Sequence, residues 1–315
     1  MTDVVCLGIL VADVMGKPID TIPAENRLAL FEKMELHIGG CAANTGIALT
    51  RLGARVRVVG KVGADGFGDF ILNTLKENNI DANWVVRDPE AGTPFTFAMI
   101  SSKGKRRFLH CLGTNATFNL SDIDLRSIRS TRILHIAGTY LMPRLDGEGT
   151  AQVLREAKRA GVKTSLDTAY NDQIQNWERI ITPSLPYIDY FLPSVEEAQK
   201  ITGETSPERM AAVLKDICPG VVGIKLGPKG FLLKTDRIEK VIPPYEVRVI
   251  DTSGAGDAFV AGFLRGVLEG WDFEECARLG NAVASFCIRA IGCTAGVRPL
   301  GETLEFMRKK VATTS

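Results

Sequence analysis

The 315-residue sequence lacks the features that mark membrane and secreted proteins. It has no apolar run of about 20 residues, the length that a membrane-spanning helix needs. No basic stretch followed by an apolar run and a small-residue cleavage site begins the chain, so we expect no signal peptide. No C-x-x-C pair occurs among the seven cysteines, so the sequence does not suggest a zinc ribbon or a thioredoxin-type pair. The cysteines are odd in number and scattered along the chain. Free thiols of this kind fit a protein of the reducing cytoplasm.

An excess of charge of either sign is also absent. The chain has 38 Lys and Arg residues against 37 Asp and Glu residues, a formal net charge of +1. This balance gives no reason to expect nucleic acid or an anionic membrane as a partner. The densest basic run is Lys103, Lys105, Arg106 and Arg107. We interpret it as a solvated hairpin in preference to a phosphate-facing surface.

Two common phosphate-binding motifs are missing as well. A Walker A loop requires G-x-x-x-x-G-K-[ST], and the nearest candidate, Gly60-Lys61-Val62, lacks the upstream glycine and the hydroxyl. A dinucleotide fingerprint of the form G-x-G-x-x-G beginning at Gly254 would need a glycine where Phe259 stands. Any phosphate is therefore expected to bind without a P-loop, and the chain is not an obvious dehydrogenase.

What the chain does have is an alternation of short apolar runs and amphipathic segments. The runs predict strands at 4–11, 56–60, 133–137, 162–166, 187–192, 221–226 and 245–250. The amphipathic segments predict helices at 42–52, 68–78, 150–160, 195–202, 207–217, 258–268, from there to about 291, and at 300–311. This pattern predicts an α/β fold with a mostly parallel central sheet covered by helices.

Two segments interrupt the alternation. Residues 14–38 contain prolines and short apolar patches, and residues 92–112 predict two strands, 94–100 and 107–112, around a turn at 102–104. Together they could form a small β-sheet that projects from a single domain spanning 1–315 and serves as a lid. An ordinary edge hairpin is the alternative that the pattern leaves open.

Two acids bracket a loop of small residues at 251–257, Asp-Thr-Ser-Gly-Ala-Gly-Asp. Glycines permit a tight turn and the close approach of a ligand. Free N–H groups at the start of the following helix attract an anion. Asp257 would then stand beside the anion and accept a proton from an attacking hydroxyl. A simple helix cap is the alternative, but two acids around such a loop favour the anion site.

A second motif lies far upstream, Gly-Gly-Cys-Ala-Ala-Asn-Thr-Gly-Ile-Ala at 39–48, followed by Leu52-Gly53. Together with 251–257 it resembles the paired signatures of the ribokinase-like, or PfkB, carbohydrate kinases. The resemblance implies a three-layer sandwich with a mostly parallel central sheet and a small β-sheet lid. It also implies ATP-dependent phosphorylation of a hydroxyl on a small sugar, with ATP and Mg²⁺ required.

The resemblance also assigns roles to individual residues. Asp257 is implied as the catalytic base. Gly254, Ala255 and Gly256 are implied as the anion hole for the transferring phosphoryl group. The sugar is expected to contact Asp13, Gly39, Gly40, Asn44 and Asn115. The nucleotide is expected to contact Lys225, Gly227, Gly230 and Asn281, although Gly230 also fits a hairpin turn.

The metal positions implied by the resemblance depart from the family pattern at one point. Glu197 is expected to hold Mg²⁺ through water, but Ser194 replaces the usual Asn of the N-x-x-E motif. Ser194 and Glu197 also fit a capping box, and both roles can coexist. A monovalent cation, K⁺, is implied near Asp251, Ser253 and Gly292.

The substrate class follows less directly. The segment 167–171, Asp-Thr-Ala-Tyr-Asn, lacks the Arg of the D-x-N-x-R motif found in many 2-keto-3-deoxygluconate kinases. Since an acidic sugar favours bidentate pairing with Arg, we predict a neutral sugar. A nucleoside kinase of the same fold and a non-catalytic sugar or nucleotide sensor are the alternatives. A homodimer formed through the lid is also expected.

Overall fold

The computed structural model describes residues 2–312, and it divides them between two β-sheets and the helices around the larger one. The strands are β1 Thr2–Gly8, β2 Val11–Lys17, β3 Lys33–Gly39, β4 Val56–Gly63, β5 Asp81–Asp88, β6 Phe95–Ile100, β7 Arg106–Cys111, β8 Thr131–Thr139, β9 Lys163–Thr168, β10 Tyr190–Phe191, β11 Val221–Lys225, β12 Phe231–Lys234 and β13 Glu239–Ile242.

The helices alternate with these strands over most of the chain. They are α1 Cys41–Arg51, α2 Gly66–Glu77, α3 Thr114–Thr117, α4 Arg126–Arg129, α5 Glu148–Arg159, α6 Trp177–Ile181, α7 Val195–Thr202, α8 Pro207–Ile217, α9 Ala255–Glu269, α10 Phe273–Cys287 and α11 Leu300–Ala312. Short 3₁₀ turns lie at Leu120–Asp122, Leu185–Tyr187 and Gly227–Lys229. Within the described residues no helix is long and apolar enough to cross a membrane.

The larger sheet has nine strands in the order β13-β12-β11-β10-β9-β8-β1-β4-β5. The strands from β11 to β5 are parallel, and β12 and β13 add an antiparallel edge. Parallel strands place their carboxyl ends at one edge of a sheet, and ligands bind in the crevice outside that edge. A ligand site is therefore expected near the carboxyl ends of β9 and β11.

Both faces of this sheet are covered, as the continuous burial of β1 indicates. Along β1, Val4 and Cys6 belong to a core shared with α1, α9 and α10, whereas Val5 and Leu7 belong to a core shared with α5, α7 and α8. Successive side chains of a strand point to opposite faces, so one apolar strand supplies two cores. The predicted three-layer α/β sandwich is confirmed.

The smaller sheet is built from the two segments that interrupted the alternation. Its order is β3-β2-β6-β7, with β2 and β6 parallel and the outer pairs antiparallel. Residues 14–38 thus contain part of β2 and most of β3, and the hairpin predicted at 94–100 and 107–112 is β6 and β7.

Several predicted boundaries were wrong. The strand predicted at 4–11 is two strands, because the chain leaves the large sheet after Gly8 and enters the small sheet at Val11. The strand predicted at 187–192 is reduced to Tyr190–Phe191. The helix predicted to continue from 268 to about 291 is interrupted by an αL cap at Gly270 and ends at Cys287.

The strand predicted at 245–250 is absent. Pro243 and Pro244 remove two N–H donors just before it, and proline is excluded from the interior of a sheet. The segment instead passes beside α10, where Ser285 Oγ donates to Tyr245 O at 3.4 Å. Its apolar residues were a misleading signal because Val247 and Val249 line a cleft instead of pairing in a sheet.

Candidate active site

The loop 251–254 leads into the N-terminus of α9, as the motif predicted. Gly254 is the N-cap in a left-handed conformation, φ 74°, and a side chain there would collide with the backbone of Cys293. Only glycine adopts this conformation without strain. The turn directs the first N–H groups of α9, which have no intrahelical acceptors, away from the helix. Ala255 N–H still meets Thr252 O at 3.2 Å.

Asp257 lies in the first turn of α9, next to these N–H groups. Its carboxylate Oδ2 accepts a hydrogen bond from Asn44 Nδ2 at 2.9 Å. Burial raises the pKa of Asp257 to about 6, although Asn44 and the charge of Lys225 oppose the shift. A carboxyl group with such a pKa is ionised at neutral pH, yet is basic enough to accept a proton.

Asn44 connects the two motifs that lie far apart in the sequence. It stands in the first turn of α1 and is buried. Its Nδ2 is engaged by Asp257, whereas its Oδ1 is a buried acceptor without a hydrogen-bond partner among the described residues. A buried polar atom of this kind is costly unless a ligand satisfies it, so a hydroxyl donor is expected here.

The Gly39-Gly40 turn brings the small sheet to the same place. A side chain at 39 would collide with the Asp13 carboxylate, and a side chain at 40 with the backbone of Ile9 and Leu10. Gly40 also has φ 88°. Asp13 of β2 therefore packs directly against the entrance to α1, and burial raises the pKa of its carboxyl group. Asp13, Gly39, Gly40 and Asn44 are thus brought together.

Asn115 is placed differently from the other predicted sugar contacts. Its side chain is buried, and both ends of its amide pair with the backbone of Leu10, at 3.4 Å to N and 3.3 Å to O. These bonds hold the crossing from β1 to β2 in place. In the structure Asn115 therefore fixes the backbone at Leu10, and its direct contact with sugar stays a prediction.

A group of charged, largely buried side chains lies close to the loop 251–254 (the anion loop), at the carboxyl edge of the large sheet. Lys225 at the end of β11 forms an ion pair with Asp167 at the end of β9, with Nζ 2.5 Å from Oδ2. Burial opposes the charge of Lys225, but Asp167, Glu197 and Asp257 together raise its pKa. Burial also raises the pKa of Asp167, against the effect of Lys225. Lys225 Nζ would lie 3.4 Å from a Cβ at Gly256.

Glu197 and Ser194 form the predicted capping box. Ser194 Oγ accepts from Glu197 N at 3.3 Å, and Glu197 Oε2 accepts from Ser194 N at 2.7 Å. Oε2 also accepts from Thr168 Oγ1 at 2.7 Å. The Ser194 hydroxyl is therefore turned toward the N-terminus of α7. Within residues 2–312 no group of three or more His, Cys, Asp or Glu side chains could by itself hold a metal ion.

A cleft of about 560 Å³ opens beside the anion loop. All four residues predicted to contact nucleotide line it: Lys225, Gly227, Gly230 and Asn281. Ala255 and Gly256 form its inner end, and the extended segment that follows β13 forms an apolar wall. Gly230 is also the hairpin turn of the alternative interpretation, since a side chain there would collide with Ile242 O.

The positions implied for a monovalent cation are occupied by a protein cation. Arg106 of β7 places Nη1 2.8 Å from Asp251 Oδ1 and 3.0 Å from Ser253 Oγ. Asp251 Oδ2 accepts from Gly292 N at 3.0 Å. Asp251 and Ser253 therefore do not fit a K⁺ ion while this contact is made.

Comparison with known proteins decides the family. The profile described as pfkB family carbohydrate kinase matches residues 1–299. The chain belongs to this family. It is 32% identical to a sugar kinase of Archaeoglobus fulgidus over 80% of its length and 98% of the relative's. It is 29% identical to a 5-dehydro-2-deoxygluconokinase of Clostridium perfringens over 93% of its length and 90% of the relative's.

Solved structures agree with this carbohydrate kinase assignment. The structure of Arabidopsis thaliana ribokinase complexed with ribose and ATP superimposes with a TM-score of 0.86, at 27% identity, and the match covers 98% of this chain and 99% of that one. The family and the ribokinase-like fold predicted from the two signatures are confirmed. The kinase is a sugar kinase, and these relatives give no support to a nucleoside kinase or a non-catalytic sensor.

Sequence reasoning missed two functional features of this kinase. Arg106 was grouped with its basic neighbours as part of a solvated hairpin, but alternation along β7 separates it from Arg107, which is exposed. The Lys225–Asp167 ion pair was missed because 58 residues separate its members. Each stands at the end of a parallel strand, and that common position was the available signal.

Proposed function

We propose that this kinase transfers the γ-phosphoryl group of ATP to a hydroxyl of a small neutral sugar, with Asp257 as the base. The observation that carries the proposal is the position of Asp257. It accepts a hydrogen bond from Asn44, one of the groups that can bind hydroxyls, and it directly follows Gly256, which lines the nucleotide cleft. A base for this reaction has to stand at such a junction.

The sugar pocket is proposed to use Asp13, Asn44 and the Gly39-Gly40 turn. Asp13 offers carboxylate acceptors, the unpartnered Oδ1 of Asn44 accepts a further hydroxyl, and the bare glycine backbone permits close approach. When the sugar binds, the attacking hydroxyl lies beside Asp257. Asp257 takes its proton as the new O–P bond forms and the bond between the γ-phosphorus and the β,γ-bridging oxygen breaks, which releases ADP. Asn44 keeps the Asp257 carboxylate oriented for that step.

The phosphoryl group is proposed to be received by the N-terminus of α9. Its N–H groups and helix dipole favour an anion at Gly254, Ala255 and Gly256. Lys225 adds a fixed positive charge beneath Gly256. Because this cation is held by Asp167, no reorientation is needed when negative charge develops on the γ-phosphoryl oxygens.

Magnesium is proposed to bind with the nucleotide, held by phosphate oxygens and by Glu197 through water. Mg²⁺ usually keeps several waters and takes one or two carboxylates, so a single acid near the phosphates is compatible with it. When bound, the ion would neutralise phosphate charge. Ser194, bonded to the start of α7, contributes to holding Glu197 in position.

The small sheet is proposed to act as the lid of the single domain. Asp13 and Arg106 lie on one face of it, as the pairing of Asp13 with Thr96 and of Ile100 with Arg106 indicates. That face looks onto the sugar pocket and the anion loop. Covering the pocket would exclude water, which otherwise competes with the sugar as acceptor.

A neutral acceptor is favoured by how the nearby cations are used. Lys225 is paired with Asp167 and Arg106 with Asp251, and the segment 167–171 offers no Arg. An acidic sugar needs a cation free to pair with its carboxylate. The Clostridium perfringens relative is named for an acidic sugar, so the acceptor has to be tested directly.

A coupled assay of ADP release tests the proposal. We expect turnover with a neutral pentose or hexose in the presence of Mg²⁺ and ATP, and little turnover with 2-dehydro-3-deoxygluconate, 5-dehydro-2-deoxygluconate or nucleosides. Preferred turnover of either acid would overturn the neutral acceptor but keep the kinase. Absence of ADP release with every sugar tested would overturn the proposed reaction.

The kinase is further proposed to be a cytoplasmic homodimer. All seven cysteines are free, which supports a reducing cytoplasmic environment. A homodimer through the small sheet is supported by an apolar row, Leu36–Val14–Phe97–Leu109, across the face opposite Asp13, of which the two outer members are exposed. Leu109 is 60% exposed and Met34, next to the row, 65% exposed. Burial of such a patch against a second copy would remove it from water.

A further inference from the structure

Arg106 joins the small sheet to the loop that begins the anion site. Its guanidinium contacts Asp251 and Ser253, which lie three residues and one residue before Gly254. The Asp251 side chain is 0% exposed and that of Arg106 27% exposed. An ion pair with one fully buried partner differs from a surface pair, because removal of the cation leaves a buried charge uncompensated.

The Asp251 carboxylate has little capacity left for another cation. Oδ1 accepts from Arg106 Nη1 at 2.8 Å and from Ser253 N at 2.9 Å, and Oδ2 accepts from Gly292 N at 3.0 Å. Burial alone would raise the pKa of Asp251, but Arg106 and these N–H groups outweigh it and hold the pKa well below its usual range. The carboxylate is therefore charged and already neutralised by the protein.

We infer that Arg106 serves as a built-in cation that orders the 251–254 loop, so that this kinase works without K⁺ or any other monovalent ion. The inference rests on the proposed function, since the loop matters for turnover only if it receives the phosphoryl group. It makes Arg106 a positioning residue, which touches neither sugar nor nucleotide. It also couples the small sheet to the anion hole, because β7 supplies the guanidinium.

The geometry of arginine suits this task. A planar guanidinium donates from several N–H groups in a fixed arrangement, and here one nitrogen serves the carboxylate and the hydroxyl together. Lysine keeps the positive charge, but its ammonium is a strongly hydrated group on a flexible stem, so it holds the carboxylate and the hydroxyl less firmly. Arg106→Lys is therefore expected to keep cation independence with a lower kcat.

The test compares salts as well as variants. Wild type, Arg106→Ala and Arg107→Ala are assayed for ADP release in KCl, NaCl and N-methyl-D-glucamine chloride of equal ionic strength. Arg107 is the matched control, since it is the exposed next residue of β7 and points to the opposite face. Melting temperatures of the three proteins, measured in the same salts without nucleotide, give a readout that does not depend on activity.

We expect the wild type and Arg107→Ala to have the same kcat and melting temperature in all three salts. Arg106→Ala is expected to lose about 100-fold in kcat without K⁺, as displacement of a catalytic loop commonly does. Added K⁺ should recover part of this loss and raise the melting temperature of that variant alone, because a ligand that binds only the native state stabilises it.

Two results would overturn the inference. One is activation of the wild type by K⁺ of about tenfold or more, a factor that corresponds to about 1.4 kcal/mol in the barrier. The other is an Arg106→Ala protein that matches Arg107→Ala in both kcat and melting temperature. If Arg106→Ala does not fold, Arg106→Lys and the wild-type salt series carry the test. A wild type with no turnover on any sugar would overturn the proposed function instead, and the melting series would still test the cation.

Discussion

Asp257 has the two properties that a base for a sugar hydroxyl requires. It is held in one orientation by Asn44, and its pKa, raised by burial to about 6, lies close enough to neutrality for proton transfer. The helix N-terminus alone would stabilise its charge and lower the pKa. Burial outweighs that effect, which is the physical reason that a carboxylate in this position can act as a base.

Asp257→Asn should remove the base while keeping the shape and the hydrogen bond from Asn44. We expect kcat to fall by about 10²–10⁴-fold, with ATP binding by calorimetry and the melting temperature little changed. Asp216→Asn, an exposed change on α8, is the matched control. Near-normal turnover of the Asp257→Asn protein would refute the assignment.

The pH dependence of turnover should report the same group. Only ionised Asp257 accepts a proton, so kcat/KM for the sugar should rise with pH up to about 6 and level off above it. Below that value the slope should approach about one log unit per pH unit. Residual activity of Asp257→Asn, measured over the same range, should lack this limb; its persistence there would assign the limb to another group.

At the scale of elements, the junction of β3 and α1 is as specialised as the start of α9. Two adjacent glycines let β3 of the small sheet meet the first turn of α1, which brings Asp13 of β2 against the start of the helix that carries Asn44. Neither element alone brings the two side chains of the proposed sugar site together. The backbone conformation at 39 and 40 links a strand of the proposed lid to the helix whose Asn44 contacts the proposed base.

Gly39→Ala tests this junction. The new methyl group would push the Asp13 carboxylate aside, so KM for the sugar should rise by about tenfold or more, as loss of a charged hydrogen-bond partner costs about 1.5–3 kcal/mol. KM for ATP should change little. Gly66→Ala, where a methyl group would meet open space, is the control. Equal changes in both KM values would indicate general disruption of the site and contradict the assignment.

At the scale of the whole molecule, the two faces of the small sheet differ in composition and have different proposed tasks. One carries Asp13 and Arg106, and the other carries the apolar row Leu36–Val14–Phe97–Leu109, whose two outer members are exposed. Since successive residues of a strand alternate between faces, the same four strands can cover a site and provide a subunit interface.

Leu109→Glu should separate the copies if that row forms the interface. A charge placed in the middle of an apolar contact is costly because it loses its hydration, so we expect the wild type to sediment as a dimer and the variant as a monomer. Val213→Glu, on exposed α8, should leave the dimer intact. A wild type that is monomeric at all concentrations studied would refute the interface.

Part of this molecule could be predicted from local pattern. Helices α7 and α8 were predicted with the bounds that the structure gives them, because the Ser194 capping box and Pro207 at the first helical position mark their starts. The segment 245–250 could not be, since its apolar residues fit a strand equally well, and only the tertiary structure makes Val247 and Val249 part of a cleft wall.

Short-range spacing along the chain is enough to predict the α/β alternation, the family signatures and the chemical types at the site: a carboxylate in the first turn of a helix, small residues before it, and an Asn after paired glycines. Which charges meet depends on how distant segments pack. The pairing of Lys225 with Asp167 joins two strand ends, and that of Arg106 with Asp251 joins the small sheet to the loop before α9. Burial changed the chemistry of these groups, and burial arises only when distant segments pack together.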